Sequence, residues 1–166
     1  LEGETLSKRL YRERRLPIRP FLRIVSQTLD ALAEAHAERV IHRDIKPENI
    51  MLCERGNRND FVKMLDFGLA KLAYKDQGIT NEDDVVGTVS YMAPEYILGD
   101  GVDSRSDVYS MAVLFYVMLS GRKPYDADDK VQVLYAHVHD DPIPLERVLP
   151  DDHEVPDGLI GLIHQC

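Results

Sequence analysis

Nine consecutive residues, Met111 to Leu119, are apolar, and no other apolar run in the chain is as long. Across the wider stretch Ser104 to Leu119 the apolar side chains cover nearly every side of a helix, and a helix apolar all round has to be buried. The rest of the chain must therefore wrap around it. Nine residues fall well short of the ~20 that span a bilayer, so this is a core helix, and Gly121 marks its end. A chain of 166 residues has the usual length of one domain. It can bury roughly 68–70% of its unfolded surface. With 44% hydrophobic and 30% charged residues it is too apolar for wholesale disorder.

Charge narrows the choice of partners. The net charge is −9, which argues against nucleic acid, since phosphate binding needs clustered positive charge. The charge is also uneven: residues 1–23 carry net +4 and residues 126–157 net −8. This describes either two solvated faces or a surface that selects partners by charge. The chain begins at Leu1 without a Met, and no signal-peptide pattern follows. Cys53 and Cys166 have neither metal-ligand spacing nor a disulfide framework. The expectation is a reduced, cytoplasmic, soluble chain with no membrane segment of its own, a parent anchored in a membrane outside this segment staying open.

Pro20 to Glu38 reads as an amphipathic helix, with Phe21, Ile24, Val25, Thr28, Leu29, Leu32, Ala33 and His36 on one face. Val40-Ile41 and Asn49 to Cys53 read as short strands on either side of the polar segment His42 to Glu48. Glu54 to Asp60 is rich in turn formers, and Phe61 to Leu65 alternates as a strand does. Ala70 to Val86 has little periodicity and reads as an extended loop, a kind of segment that is usually functional. Further helices are expected near Asp128–His139 and Asp157–Gln165. The fold class is mainly α with short β-hairpins (α+β), two of them.

The chemistry concentrates in His42-Arg43-Asp44-Ile45-Lys46-Pro47-Glu48-Asn49. There Asp44 can orient a hydroxyl or accept its proton, Lys46 supplies positive charge two residues on, and Asn49 offers a neutral oxygen suited to Mg²⁺. Seventeen residues after Asn49 comes Asp66-Phe67-Gly68, a second carboxylate at a strand end followed by a residue that permits a sharp turn. Two acids and an amide oxygen brought together by a hairpin suit a Mg²⁺-phosphate site. Phosphoryl transfer asks the protein for positioning and charge neutralisation rather than covalent chemistry.

These segments, followed by Ala93-Pro94-Glu95, resemble the catalytic loop, metal motif and activation-segment end of the eukaryotic-like (Hanks-type) Ser/Thr protein kinases. The spacings are 22 residues from Asp44 to Asp66 and 29 from Asp66 to Glu95. The phrase Val131 to His137 with Pro142-Ile143-Pro144 resembles bacterial members. The resemblance covers essentially the whole chain. It implies a phosphotransferase using ATP and Mg²⁺ on protein substrates with Ser or Thr. Asp44 is then the catalytic base, and Lys46 neutralises the transferring phosphate. Asn49 and Asp66 are the metal ligands, and Lys46, Glu48, Asn49, Met51 and Asp66 form the nucleotide-binding set. Met51 either lies under the adenine or simply packs the core. Lys46 and Thr88 point to Ser/Thr rather than Tyr specificity. Arg43, Thr80 and Thr88 are the regulatory set, with Thr80 either a phosphorylation site or an ordinary solvated residue beside the acidic run Glu82 to Asp84. His42, Phe67, Gly68, Glu95 and Asp107 are implied to be structural, Asp107 holding the catalytic-loop backbone.

The sequence departs from the family in two ways. A kinase domain also has a Gly-rich loop and a strand lysine paired with a helix glutamate. Gly99 and Gly101 follow the catalytic motifs, and Lys63 lies between them, so neither fits. The expectation is a partial kinase domain over residues 1–166, the large C-terminal lobe without the small lobe, cut before the arginine that pairs with Glu95. As an isolated piece it is expected to be inactive. The alternative function is that of a catalytically inactive lobe or pseudokinase acting as a binding module.

Overall fold

A computed structural model of the chain describes residues 3–55, 58–67, 89–127 and 129–165. The elements, in order, are strand β1 (Gly3–Thr5) and helices α1 (Leu6–Glu13) and α2 (Ile18–Ala37). A 3-10 turn (Pro47–Asn49) leads into β2 (Ile50–Arg55) and β3 (Arg58–Met64). Then come α3 (Pro94–Leu98), α4 (Ser104–Ser120), α5 (Lys130–His139), a second 3-10 turn (Leu145–Arg147) and α6 (Asp157–His164).

Helix α4 is the axis of the fold. Twelve of its 17 residues are buried, and Leu114, Met111 and Met118 are almost fully enclosed. Its ends are set by local chemistry. The Asp103 carboxylate accepts the Arg105 N–H at 2.8 Å, a side-chain N-cap. Gly121 closes the other end in the left-handed region at φ 72. A side chain there would meet the Arg14 carbonyl oxygen at 2.6 Å from its Cβ, so only glycine fits.

Helix α2 packs on both β3 and α4 and buries Phe21, Ile24, Val25, Thr28 and Leu32, with Phe21 edge-on to Phe115 of α4 at 5.6 Å. Leu29 and Ala33 do not share that face, and Leu29 is 43% exposed. At about 100° per residue both swing off one flank of the stripe, while Ala31 and Ala35 close its other side.

The sheet is antiparallel in the order β1-β2-β3. Among the described residues there is one hairpin, β2–β3, rather than the expected two. Val40-Ile41 is not a strand: Arg39 turns left-handed at φ 60, and both edges of β2 are taken, by β1 and β3. The partner β2 actually uses, Gly3–Thr5, is three residues long, too short to show an alternation. Helix α1 was also missed because it buries only Leu6 and Leu10. The hairpin is tied down by Asp60, buried at φ 68. Its carboxylate pairs with Arg9 and Arg23, and its carbonyl accepts from Gln27 at 2.8 Å. The expected loop 70–86, the tip of the 54–60 turn, Asp128 and Cys166 lie outside the described residues. Among those described, no helix is long and apolar enough to cross a membrane.

Candidate active site

The segment 42–49 leaves α2 and enters β2, and its shape is fixed by three anchors. The first is Asp107, in the opening turn of α4 and 1% exposed. Its Oδ1 accepts the Arg43 N–H at 2.9 Å, and its Oδ2 accepts the His42 N–H at 2.9 Å and His36 Nε2 at 2.7 Å. A buried carboxylate without partners would be costly; here both oxygens are satisfied.

The second anchor is His42, itself fully buried. Its Nδ1 accepts the Asp44 N–H at 3.3 Å, so Nε2 carries the proton and donates to the Leu65 carbonyl at 3.0 Å. Burial holds the ring below its ordinary pKa, against the pull of Asp107, and keeps it neutral at physiological pH. The Phe67 ring packs on it at 4.6 Å between centroids. The third anchor is the pairing of the Leu65 N–H with the Asn49 carbonyl at 2.9 Å. Together these contacts bring residues 42–49 and 65–67 side by side.

Asp44 sits at the centre. Lys46 Nζ lies 3.0 Å from its Oδ2, and both side chains are about one-fifth exposed, at 21% and 18%. Asn49 Nδ2 donates to the Asp44 carbonyl and to Oδ2, each at 2.8 Å. Both acceptors lack hydrogens, so the amide nitrogen must face them, and Oδ1 is the atom Asn49 can present to a cation. Asp66 is exposed on a left-handed backbone at φ 58, and Arg43 has φ 67. Non-glycine residues rarely adopt that region, and such strain gathers at functional sites.

The remaining candidates are placed as follows. Met51 is half-buried in β2, between Thr5 and Lys63 on the neighbouring strands. Glu48 is exposed and accepts a hydrogen bond from Ser7 at 2.9 Å. Arg43 Nε is buried without a hydrogen-bond partner among the described residues. Glu95, in α3, accepts a hydrogen bond from Ser106, and the Tyr91 carbonyl accepts one from Ser110 at 2.7 Å. Gly68, Thr80 and Thr88 lie outside the described residues. Sequence reasoning missed His36 as the third donor to Asp107, and Ser106 and Ser110 as the pins that hold residues 91–95 to α4. A lone serine in a helix carries no signal of its own, but Asp107, Ser106 and Ser110 share a helix face, and an acid and two hydroxyls on a buried face require partners.

Among the described residues no three His, Cys, Asp or Glu side chains gather in a metal-binding cluster. The donors on offer are instead an amide oxygen and a carboxylate, hard oxygen ligands that suit Mg²⁺ held partly by substrate phosphates. A groove of 870 Å³ runs between α2 and the β2–β3 hairpin, with Val40, Cys53, Phe61, Lys63 and Phe67 in its walls.

The family model "Protein kinase domain" matches residues 1–166. The chain is 44% identical over 152 residues to the serine/threonine-protein kinase pkn3 of Myxococcus xanthus, covering 90% of this chain and 28% of that protein. It is 46% identical over 127 residues to the serine/threonine-protein kinase Pkn1 of the same organism, covering 76% of this chain and 18% of that protein. It is 38% identical over 144 residues to the serine/threonine-protein kinase PknB of Mycobacterium leprae, covering 87% and 22%. The chain therefore spans less than a third of the length of these curated relatives.

Proposed function

The chain belongs to the protein kinase domain family, among its bacterial Hanks-type Ser/Thr members, and on that premise we propose that it is the large, mainly helical lobe of a Ser/Thr protein kinase. Its reaction is transfer of the ATP γ-phosphate to a Ser or Thr hydroxyl of a protein. The supporting observation is the Asp44 cluster, with an ammonium at 3.0 Å and an amide at 2.8 Å.

In this reading the substrate hydroxyl donates to Asp44, which the Asn49 amide holds in one orientation. As the hydroxyl oxygen bonds to phosphorus, the bond to the ADP oxygen breaks and the hydroxyl proton passes to the Asp44 carboxylate. Lys46 neutralises charge on the transferring group. Mg²⁺ bound with the nucleotide supplies further neutralisation of the phosphates, and Asn49 Oδ1 and Asp66 are the groups that would hold it. Met51 and Glu48 complete the nucleotide-facing set. The glycine-rich loop and strand lysine belong, in this reading, to a small lobe outside these 166 residues. The reaction takes place where ATP is, in the cytoplasm. Presence of Asp44, Lys46, Asn49 and Asp66 together favours a working enzyme over a binding module.

The test is Asp44→Asn in the intact protein carrying this lobe. A group acting only in the transition state lowers kcat far more than it raises KM. We expect kcat to fall roughly 10²–10⁴-fold, with the KM for ATP nearly unchanged. Retention of more than about a tenth of wild-type kcat removes Asp44 from the base role.

A further inference from the structure

We infer that the groove between α5 and the segments at Tyr125 and Ile143 is a docking site for an extended segment of a partner protein that carries arginine or lysine next to an apolar side chain. The groove encloses 630 Å³, within the ordinary range of a binding cleft, roughly 300–1,000 Å³. None of its lining residues belongs to segments 42–49 or 65–67, so the inference stands whether or not the chain transfers phosphate.

Helix α5 is apolar on two sides. Val133, Ala136 and His137 are buried against the rest of the fold, as the inner face of a surface helix should be. Val131 and Tyr135, one helical turn apart, lie on the outer side, 63% and 61% exposed. Polar side chains are expected there, and apolar groups gathered in one place on a surface mark a contact with another molecule. Both line the groove, together with Tyr125 and with Ile143, itself 40% exposed. Local contacts hold this surface in shape. The Ile143 N–H donates to the Pro124 carbonyl at 3.2 Å, joining the two loop segments, and the Tyr135 ring packs on His139 at 4.4 Å between centroids. A ring already held in place loses little freedom when a partner covers it.

Charge sets the chemistry of the occupant. The groove wall also holds Asp126, Asp140 and Asp141, all exposed, and none of the three makes an ion pair among the described residues. Other carboxylates are matched within the chain: Glu4 by Arg12, Glu13 by Arg9, Asp60 by Arg9 and Arg23, and Asp103 by Arg105. Two of the unmatched acids also stand where they cost the fold. Asp140 caps the C-terminal end of α5 and Asp141 follows it; the helix dipole makes that end negative, so a carboxylate opposes it and a cation is favoured. No cationic side chain is among the described residues lining the groove, and residues 126–157 as a whole are net −8. A guanidinium suits both parts of this surface, since it pairs with carboxylates and lies over an exposed tyrosine face. A small cation alone would leave Tyr125, Val131, Tyr135 and Ile143 in water, so an apolar neighbour completes the motif.

The test is a calorimetric titration of the intact protein carrying this lobe with a seven-residue peptide, acetylated and amidated, that alternates arginine and leucine between terminal glycines. The peptide has no hydroxyl to phosphorylate. Two control peptides carry glutamate for arginine and glutamine for leucine. The first peptide is expected to bind saturably, and each control about fivefold more weakly or worse, through loss of the charge pairs or of the apolar anchors. Asp140→Asn together with Asp141→Asn, and separately Tyr135→Ser, should each lower its affinity about fivefold or more. All three residues are exposed, and removing acids from a helix C-terminus does not weaken the helix, so loss of binding is not loss of fold. Any of four results overturns the proposal: no saturable binding, equal binding of the glutamine peptide, affinity unchanged by the aspartate or the tyrosine substitutions, or sedimentation showing self-association that these substitutions abolish. The last would seat the basic stretch 1–23 of a second copy in the groove instead.

Discussion

Asp107→Asn isolates the contribution of one buried carboxylate to the shape of the candidate active site. In the wild type three donors converge on it, two on Oδ2 and one on Oδ1. An amide can place its oxygen toward only one of these positions. If the oxygen keeps His42 and His36, the new NH₂ faces the Arg43 N–H, and two donors meet with no acceptor. The loss is one hydrogen bond to a charged group, about 1.5–3 kcal/mol, and the N–H left behind is buried and unpaired. Breaking a buried charged network by removing one partner costs roughly 3–5 kcal/mol, so about 3 kcal/mol is the expected value. At about 2–4 °C per kcal/mol for a chain of this size, the melting temperature should fall by roughly 6–12 °C. Urea unfolding gives the free energy, and native-state hydrogen exchange adds a local readout. The His42 and Arg43 amides should lose more protection than those in the middle of α4. A destabilisation under about 1 kcal/mol, or unchanged protection at both amides, would refute the anchoring role of Asp107.

Other expectations concern metal, pH and regulation. In the intact kinase, Asp66→Ala should collapse the Mg²⁺ dependence of activity, and an unchanged Mg²⁺ titration counts against Asp66 as a ligand. His137 is pushed down to about 4 by burial, and His42 is also lowered. Folded chains therefore bind fewer protons than unfolded ones below the ordinary histidine value of 6.5, and stability is full above it and lost as pH falls toward 4. For His137 the loss between pH 7 and pH 5 should be on the order of 2 kcal/mol; urea midpoints that do not change over that range contradict it, and His137→Phe should flatten the slope. Arg43, with its buried Nε unpartnered among the described residues, suits an anionic partner, and a phosphate brings about −1.5 to −2 charges. Autophosphorylation at Thr80 is the expected source: Thr80→Ala should lower kcat more than tenfold and Thr88→Ala further. An unmodified Thr80 by mass spectrometry, with full activity of Thr80→Ala, would reassign Arg43's partner to the acidic run Glu82 to Asp84.

The long elements were legible because their signals are long. The apolar run 111–119 and the stripe Phe21-Ile24-Val25-Thr28-Leu32 repeat often enough to fix helix type and buried face. Short elements failed for the same reason. Three residues of β1 and the two buried leucines of α1 hold no period, and Val40-Ile41 has the composition of a strand but no partner edge. At the site, the residues that carry charge stand out in the sequence, because acids, a lysine and an amide crowd into eight positions. Their supports do not. His36, Ser106, Ser110 and the Leu65 carbonyl act through contacts 11 to 71 residues apart, and nothing local marks them.

Those long-range supports explain how the strained backbone persists. Left-handed φ at Arg43 and Asp66 costs on the order of 1–3 kcal/mol each and survives only where the surroundings over-determine it. At Arg43 the fixing contact is the Asp107 bond to its own N–H, reinforced by the bond to His42 one residue before. At Asp66 the fixing contacts flank it, His42 on the Leu65 carbonyl and on the Phe67 ring. Both strained residues therefore depend on His42, and His42 is held in turn by Asp107. Asp107 can serve as that anchor because its helix is packed into the core. A carboxylate in the first turn of α4 is favoured by the helix dipole, and α4 is buried on nearly every side. The apolar run that dictates the fold is thus also the mounting for the candidate site: loosening α4 in the core, for instance by Leu114→Ala at a cost of roughly 2–5 kcal/mol, should release segment 42–49 without touching a single polar group.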